Sequence, residues 1–275
     1  GWLEDKDYGH KPFFIALGLQ KPHVPFLAPD KYFDLYPYNK IRYQIDRPNM
    51  WDFLPPSALS KRYEAFGFQF SKENHILRKE YMQAYHACIS FIDAQLGLVL
   101  DGLKKNGLWE DTIIIFTSDH GYHLGDHFIW GKVTLFDIGA KVPFLVRSPG
   151  ISKSGATSEA MVELIDIYPT LADLAGLEAP NHLQGTSLRP LLGQPERLGK
   201  RKYAYSVVTR GPQNLGYALR NQDWRYGKWP DGEELYNLRN DPHEKKNLAQ
   251  KEHLKERIDV FRKALAKKQA LIQQN

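Results

Sequence analysis

The most regular hydrophobic pattern lies in the first half of the chain, where apolar residues recur at steps of three and four. They are Tyr81, Tyr85, Cys88, Ile92, Leu96, Val99 and Leu103. This spacing places the side chains on one face of a long α-helix, and Asn106 and Gly107 predict where it ends. Because Cys88 lies on that apolar face, we interpret it as a small core residue rather than a nucleophile.

Three short apolar runs, over residues 12–18, 112–118 and 142–146, predict buried strands. The Pro-rich stretch from Pro22 to Pro56 predicts an irregular surface loop. A further helix is expected after Asp166, which can cap it, and Gly176 predicts its end. Strands that alternate with helices favour an α/β fold with a mostly parallel sheet and helices on both faces.

The pattern changes after residue 199. Four short strand candidates follow, over residues 203–209, 216–220, 224–229 and 234–238, which predict a small antiparallel sheet. Apolar residues from Leu254 to Ile272 predict an amphipathic helix packed on that sheet. We therefore expect two domains: residues 1–199 form an α/β domain, and residues 200–275 form a small α+β subdomain.

Composition and charge exclude several classes of protein. The 275 residues are 42% hydrophobic and 25% charged, as in ordinary globular proteins. The net charge of +5 is concentrated at the C-terminal end, where residues 245–275 hold nine basic and three acidic side chains. We interpret this as a solvated helix face and expect no nucleic-acid partner. No apolar run approaches the roughly 20 residues of a membrane helix, and one cysteine excludes an internal disulfide.

The predicted strand over residues 112–118 runs directly into Asp119 and His120. In open α/β sheets, ligands bind beyond the carboxyl ends of the strands, so these side chains are expected to face a site. A carboxylate at such a position is costly to bury unless it is paired, hydrogen-bonded or metal-bound. Asp119 is therefore either a helix cap or a metal ligand, and its position alone does not separate the two.

Two kinds of metal site fit this segment. His120, His123 and His127 have the spacing of a three-histidine zinc site on a helix. However, Gly121 and Gly125 interrupt the segment and disfavour a helix there. An oxygen-rich site at Asp119 favours a hard cation such as calcium or magnesium, for which His120 is an awkward partner.

Two further side chains could take part in chemistry. Lys132 lies in the same predicted loop and could neutralise an anionic substrate oxygen, although most lysines simply lie at the surface. His23 is flanked by Pro22 and Pro25, which restrict the backbone around the imidazole. A single loop histidine is more often structural or merely exposed.

In their order along the chain, these segments resemble the type I sulfatases of the alkaline-phosphatase-like superfamily, most closely the iduronate-2-sulfatase branch. The resemblance rests on Lys21-Pro22-His23-Val24-Pro25-Phe26, Leu35-Tyr36-Pro37, Leu54-Pro55-Pro56, Phe116-Thr117-Ser118-Asp119-His120-Gly121, Leu124-Gly125-Asp126-His127, Trp130-Gly131-Lys132, Asp166-Ile167-Tyr168-Pro169-Thr170-Leu171, Gly185-Thr186-Ser187-Leu188 and Glu234-Leu235-Tyr236-Asn237-Leu238. It covers almost the whole chain. It implies an alkaline-phosphatase-like fold that is incomplete here, with residues 1–199 as the C-terminal portion of the catalytic domain.

The resemblance also implies roles for individual residues. Asp119 and His120 would complete the ligand shell of one divalent cation, usually calcium in this family. Lys132 and His23 would be catalytic: Lys132 would hold a sulfate oxygen, and His23 would contact the sulfate and help the leaving oxygen depart. The sugar side of the pocket would be lined by Tyr122, Asp126 and His127.

The sequence departs from the family pattern at the nucleophile. That nucleophile is a formylglycine, made from a Cys or Ser followed closely by Pro and Arg, whereas Cys88 is followed by Ile89-Ser90-Phe91. The paired aspartates expected after the first strand also have no counterpart. We therefore expect that an N-terminal portion, carrying the nucleophile and half the metal shell, is a missing partner of this chain. The chain alone is expected to have no sulfatase turnover.

The expected activity is hydrolysis of sulfate esters, specifically the 2-O-sulfate of iduronate units in sulfated glycans. Two alternatives stay open: a phosphodiesterase or phosphonate hydrolase on the same fold, and an inactive fragment that binds sulfated glycan through its basic helix. The chain contains no Asn-x-Ser/Thr acceptor site. Together with the resemblance, this favours an exported bacterial enzyme, periplasmic or extracellular, over a lysosomal one.

Overall fold

The computed structural model of the chain describes residues 11–43, 51–59, 64–71, 74–211 and 214–273. The chain divides into two compact units. Unit 1 comprises Gly1–Ile45 and Tyr63–Thr112, and unit 2 comprises Asp46–Arg62 and Ile113–Asn275. Residues 200–275 thus belong to the same unit as the loops after residue 113, and the division into two domains near residue 199 stays a prediction.

Unit 1 is built around one long helix. Its elements are α1 (Asp30–Phe33), β1 (Glu64–Ala65), β2 (Phe68–Gln69) and α2 (His75–Lys105). The predicted long helix is confirmed by α2, whose first turn is capped by the Asn74 side chain, which accepts a hydrogen bond from the Leu77 N–H at 3.2 Å. The helix ends before Gly107, whose φ of +65° suits glycine. Cys88 is fully buried, as predicted.

The predicted strand over residues 12–18 is wrong: residues 11–20 have no regular secondary structure. Its apolar side chains are also exposed, with Phe14 exposed to 79% and Leu17 to 51%. A strand needs a hydrogen-bonded neighbour, and among the described residues no strand pairs with this segment. The loop character of the following Pro-rich stretch is confirmed for its described residues, apart from the short helix α1 and short 3-10 turns, one of them at Tyr38–Lys40.

Helix α2 is long and apolar enough, by length and composition alone, to cross a membrane. It also contributes Tyr81, Ala87, Cys88 and Leu103 to the buried core. A helix that packs into a protein core passes the same test of length and hydropathy. The expected absence of a membrane span therefore stays a prediction.

The strands and helices of unit 2 follow in chain order. They are β3 (Ile114–Thr117), β4 (His123–Leu124), β5 (Trp130–Gly131), α3 (Asp137–Ala140), β6 (Phe144–Arg147), α4 (Ile167–Leu174), α5 (Arg189–Gly193), β7 (Ala204–Thr209), β8 (Leu215–Arg220), β9 (Trp224–Trp229), β10 (Gly232–Asn237) and α6 (Lys255–Gln273). Strands β3 and β6 are the two predicted buried strands. They pair with each other antiparallel, with Phe116 opposite Leu145.

The predicted mostly parallel sheet has no counterpart in this pair, since a continuous apolar run indicates burial but does not encode strand direction. The residues described in unit 2 contain antiparallel pairs only. Two apolar side chains of the β3–β6 pair are exposed, Phe116 at 36% and Leu145 at 59%. The coarser prediction, an α/β fold with a C-terminal antiparallel sheet, agrees with the described elements.

Helix α4 begins after Asp166 as predicted, but Asp166 does not cap it through its side chain. The carboxylate instead accepts hydrogen bonds from the N–H groups of Glu163 and Thr186, at 2.8 and 2.9 Å. It also forms a buried ion pair with Arg201. The partners Thr186 and Arg201 come from segments distant in sequence, so local capping rules could not identify them.

The C-terminal sheet has the order β10-β9-β8-β7 and is antiparallel throughout, which confirms the predicted strands. Because side chains alternate along a strand, its two faces bury different sets of residues. One face, here called the helix face, packs Leu219, Tyr226 and Leu235 against Ile258, Phe261 and Leu265 of α6. The opposite face, here called the loop face, includes Ala218 and Trp229, which pack against Ala58 and Leu135.

Candidate functional site

The segment after β3 brings Asp119 and His120 together. The Asp119 side chain is 81% exposed, and its Oδ2 lies 3.3 Å from His120 Nε2. Its Oδ1 accepts the His120 N–H at 2.9 Å, while Ser118 Oγ donates to the His120 carbonyl at 2.9 Å. The strand end thus presents one carboxylate and one imidazole to the surface.

The backbone between Gly125 and Val133 adopts several unusual conformations. Positive φ angles occur at three residues other than glycine, namely His127 (55°), Phe128 (58°) and Val133 (67°). For a β-branched residue such as Val133, a positive φ is a strained conformation. Strained backbone is kept only where the surroundings enforce it, and it clusters at functional sites.

Lys132 lies inside this strained segment, directly after β5. Its side chain is partly buried, as are those of Tyr122 and Asp126. The Asp126 carbonyl accepts hydrogen bonds from the ring of His123 and from the Ile129 N–H, at 3.0 and 3.1 Å. The roles expected for Lys132, Tyr122 and Asp126 stay predictions.

The histidines at 123 and 127 are buried within unit 2. His123 Nδ1 bonds to the Asp126 carbonyl, and its Nε2 bonds to Thr134 Oγ1 at 2.7 Å. Since both ring nitrogens have partners, His123 is not available as a metal ligand. Among the residues described, no three or more His, Cys, Asp or Glu side chains are grouped so that they could hold a metal ion. The three-histidine zinc alternative is therefore not supported.

Burial keeps these two imidazoles neutral. Desolvation lowers the pKa of His123 to about 4, although the hydrogen bond to the Asp126 carbonyl acts in the opposite direction. The pKa of His127 is also lowered well below its usual value by burial and by the neighbouring His123. His127 is only 7% exposed, and its ring stacks on Phe136 at 3.9 Å between ring centres. Its expected contact with a sugar stays a prediction.

His23 belongs to unit 1 and lies on an exposed turn. Its N–H donates to the Gln20 carbonyl at 2.9 Å, and its Nδ1 lies 2.8 Å from the Val24 carbonyl oxygen. The peptide bonds before Pro22 and Pro25 are both cis. Asp119, His120 and Lys132 belong to unit 2, so the assembly of all four side chains in one site stays a prediction.

Sequence reasoning missed a buried charge network on the loop face of the sheet. Arg225 is 1% exposed; its Nη1 donates to Glu234 Oε2 at 2.9 Å, and its Nε donates to Glu244 Oε1. Burial opposes the charge of Arg225, but Glu244 and Glu234 outweigh it and raise the pKa of the guanidinium. Burial raises the pKa of Glu244 to about 7, against the effect of Arg225.

One signal of this network exists in the sequence. Arg225, Gly227 and Trp229 alternate along β9 and therefore share one face. Gly227 lies beside the ion pair, and a Cβ there would come within 2.7 Å of Glu234 Oε2. A glycine two positions from a charged residue, on the same face of a strand, is therefore compatible with a buried charge that needs room.

Asp119 and His120 offer donor atoms of a type that binds divalent cations, but too few of them to fill the ligand shell of one. A carboxylate oxygen is a preferred ligand of calcium and magnesium, and calcium takes about six to eight oxygen ligands. The exposed Asp119 Oδ2 and the adjacent imidazole Nε2 could supply two donors. The pair therefore suits one side of a cation shell whose other ligands come from elsewhere.

Comparison with known proteins decides the family. The model of the Sulfatase family matches residues 1–177, and the model for the C-terminal region of N-sulphoglucosamine sulphohydrolase matches residues 125–271. The chain belongs to the sulfatase family. A sulfatase of Formosa agariphila is 38% identical over 97% of this chain and 52% of its own length. The mouse iduronate 2-sulfatase is 31% identical over 82% of this chain and 53% of its own length.

Solved structures place this sulfatase chain in the alkaline-phosphatase-like fold. A phosphonate monoester hydrolase of Agrobacterium radiobacter superposes with a TM-score of 0.82 at 27% identity, covering 98% of this chain and 58% of the other. A protein solved with D-glucosamine-2-N,6-O-disulfate has a TM-score of 0.68 at 30% identity, covering 72% and 42%. The chain spans about half the length of the curated relatives that it matches.

Proposed function

We propose that this chain supplies one part of the active site of a sulfate-ester hydrolase. The observation that carries the proposal is the exposed Asp119 carboxylate, which lies beside His120 at the end of β3. In the same unit, the loop that contains Lys132 has positive φ angles at His127, Phe128 and Val133. The chain's membership of the sulfatase family supports the reaction class.

In this proposal, Asp119 and His120 are ligands of a divalent cation, with calcium as the expected ion. When bound, such a cation supplies positive charge that polarises sulfate oxygens. The Lys132 ammonium neutralises a further sulfate oxygen, and charge neutralisation at the sulfuryl group favours the transition state. His23 gives a proton to the alcohol oxygen as the S–O bond breaks. Overall one water is consumed: its oxygen enters the released sulfate as the alcohol oxygen leaves, and one of its protons replaces the proton that His23 gave to the alcohol.

The nucleophile and the remaining cation ligands belong, in this proposal, to a further N-terminal portion of the enzyme. The relatives extend well beyond the part that this chain matches, and a formylglycine is the nucleophile expected there. Within this chain Cys88 does not serve, because it is fully buried in the core and burial raises the pKa of its thiol. The chain by itself is therefore expected to be inactive.

For the substrate, we propose 2-O-sulfated iduronate units of sulfated glycans, with Tyr122, Asp126 and His127 on the sugar side. Similarity to iduronate 2-sulfatases of mouse and human supports this choice. An arylsulfatase and a choline-sulfatase are similar to nearly the same degree, and a direct assay with several sulfate esters separates these substrates. Because the proposed substrate is a glycan, we also propose an exported location, periplasmic or extracellular.

A second candidate is hydrolysis of phosphonate or phosphate monoesters or diesters. The observation that favours it is the TM-score of 0.82 to a phosphonate monoester hydrolase, which covers 98% of this chain. One fold can host both reactions. The cation donors seen here, one carboxylate and one imidazole, do not discriminate between sulfuryl and phosphoryl substrates.

The test compares this 275-residue chain with a longer protein, which is expressed from the same gene and includes whatever residues are encoded upstream of Gly1. Both are assayed with an aryl sulfate, a 2-O-sulfated uronate disaccharide and an aryl phosphonate. We expect sulfate release by the longer protein only, fastest from the disaccharide. Turnover confined to the phosphonate would replace the proposal with the second candidate, and turnover by the 275-residue chain alone would refute the division of the site.

Matched variants test the two unit 2 residues. Asp119→Asn and Lys132→Ala are expected to lower turnover of the longer protein by about a hundredfold or more, each a loss of roughly 2.7 kcal/mol in transition-state stabilisation. Asp101→Asn and Lys141→Ala are suitable controls, because Asp101 makes a long contact of 3.9 Å with Lys104 and Lys141 is exposed. Equal activity of test and control variants would exclude Asp119 and Lys132 from the site.

An inactive glycan-binding fragment is the remaining alternative. Binding driven by the exposed lysines of α6 would weaken steeply with ionic strength, because exposed charges are screened within about 10 Å at 0.1 M salt. Binding of heparin oligosaccharide to the chain at several salt concentrations measures this directly. A steep salt dependence that is unaffected by Asp119→Asn would favour the binding fragment.

A further inference from the structure

We propose that Glu244 is a positioning residue for the Asp119–His120 segment, acting through helix α3. This inference rests on the proposed function, because that function gives the segment its chemical role. The contacts that carry it lie entirely within unit 2 and join the loop face of the C-terminal sheet to the candidate cation ligands.

The first step joins the sheet to α3. Glu244 is almost fully buried and its Oε2 accepts the N–H of Asp137, the first residue of α3, at 2.6 Å. Its other oxygen accepts from Arg225 in the centre of the sheet. The Asp137 carboxylate is held in turn by Arg220 Nε, at 3.1 and 3.2 Å from its two oxygens. The sheet thus holds the Asp137 side chain directly, through Arg220, and Glu244, in the segment after β10, holds its backbone N–H.

The second step joins α3 to the candidate ligands. The Gly121 N–H donates to the Gly139 carbonyl at 2.9 Å, and Gly121 directly follows His120. The approach is so close that a Cβ on Gly121 would lie 2.0 Å from the Ile138 carbonyl oxygen. Since α3 contacts the backbone itself, a displacement of α3 would move Gly121 and the two preceding side chains.

Two further features fit a positioning role better than a general structural one. Glu244 has a positive φ of 51°, one of only five such angles outside glycine among the described residues, and three others lie in the loop around Lys132. A strained backbone conformation is kept only where the surrounding structure enforces it, and at Glu244 it fixes where the carboxylate meets Asp137 and Arg225. The buried carboxylate also accepts from two separate segments at once, a geometry that neither a leucine nor a shorter acid reproduces.

The same sheet provides a matched control in Glu233. This glutamate also pairs with an arginine, since Arg262 Nε donates to its Oε1 at 2.8 Å, and Tyr226 donates to it as well. However, it lies on the helix face and has no contact with α3 among the described hydrogen bonds. A substitution of Glu233 therefore disturbs an ion pair of the same sheet without touching the proposed connection.

The experiment measures amide hydrogen exchange of Gly121 and Gly139 by NMR in the 275-residue chain, for wild type, Glu244→Gln and Glu233→Gln. Exchange of each amide is compared with that of core amides in α6. We expect Glu244→Gln to accelerate exchange at Gly121 and Gly139 about tenfold more than in the α6 core, with changed ring signals of His120. Glu233→Gln should change these two amides no more than the core.

If Glu244→Gln does not fold, Glu244→Asp keeps the charge beside Arg225 but shortens the reach to Asp137, and the same selective acceleration is expected. Uniform acceleration of all amides in the Glu244 variants, or equal effects of the Glu233 control, would overturn the positioning role. In the longer protein, Glu244→Gln is expected to lower kcat about tenfold with little change in KM. Absence of sulfatase activity in the wild-type longer protein would refute the proposed function, whereas the exchange result would still decide the role of Glu244.

Discussion

Units 1 and 2 support their candidate residues in different ways. In unit 1, the 31-residue helix α2 buries only five side chains, and His23 lies on an exposed turn held by local backbone contacts. In unit 2, both faces of the C-terminal sheet are covered, and the loop face holds buried charges that connect to the segment after Asp119. The candidate residues at Asp119 and His120 are therefore connected to a distant core, whereas His23 depends on its own turn.

The strongest test of this contrast is Arg225→Leu. It leaves the carboxylates of Glu234 and Glu244 buried without their cation, and breaking a buried pair in this way costs about 3–5 kcal/mol. Urea unfolding should show a loss of that size. Arg262→Leu is the control, because Arg262 pairs with Glu233 from a half-exposed position and is expected to cost about 1 kcal/mol or less. Similar losses in both variants would contradict the importance of the buried network.

The second test is the pH dependence conferred by His123. Its pKa of about 4 in the folded chain lies below the 6.5 of an exposed histidine. Between these values the unfolded state binds a proton that the folded state excludes, so stability falls as the pH drops from 6.5 to 4. For one such group the loss is about 3 kcal/mol.

His123→Gln removes the titrating ring and should flatten this part of the profile. The measurement is the free energy of unfolding of wild type and variant at about pH 7 and about pH 4.5, on either side of most of the titration. A difference between the two proteins that stays constant with pH would show that His123 titrates normally in the folded chain.

A third test compares one glycine from each unit, because replacement by alanine is expected to change the stability in opposite directions. Gly121→Ala in unit 2 places a Cβ 2.0 Å from the Ile138 carbonyl oxygen, and the enforced shift should cost about 1–3 kcal/mol. Gly97→Ala in helix α2 meets open space and should stabilise unit 1 by about 1 kcal/mol through helix propensity. Thermal unfolding of both variants measures whether each substitution stabilises or destabilises the chain. Stabilisation by Gly121→Ala would exclude the close contact between Gly121 and α3.

The smallest expected effect on stability belongs to His23→Ala. Because His23 is exposed, its substitution should change the unfolding free energy by no more than about 0.5 kcal/mol. In the longer protein the same variant should lower sulfate release strongly, if His23 helps the leaving oxygen depart. A large loss of stability would instead make His23 a structural residue of its turn.

Local patterns predicted the elements that depend on local physics. The steps of three and four along α2, the turn residues between β7 and β10, and the apolar face of α6 each correspond to an observed element. The sequence points to Asp119 and His120 because a polar side chain at the end of a buried strand loses free energy of hydration unless it is paired, hydrogen-bonded or metal-bound. Asp119 is 81% exposed at the end of β3, so its carboxylate does not bear that cost in this chain, and the role of both residues as ligands stays a prediction.

The errors share a different cause. An apolar run is compatible with either strand direction, so the antiparallel pairing of β3 with β6 could not be deduced. Asp166 follows the rules of a helix cap in sequence, yet its carboxylate pairs with Arg201, 35 residues away. The strand predicted over residues 12–18 requires a hydrogen-bonded neighbour, and the described residues offer none.

The order of most helices and strands, the family and the residue types available for chemistry all follow from the sequence alone, because periodicity, turn residues and short motifs act over a few positions. The burial of Glu244 and Arg225, and their connection to the segment after His120, follow only from tertiary contacts. A charged residue on a strand, such as Arg225, or in the segment after one, such as Glu244, is compatible with surface as readily as with core. Which of the two applies depends on what packs against that face, and here the contact joins Asp137 to Glu244, 107 positions apart.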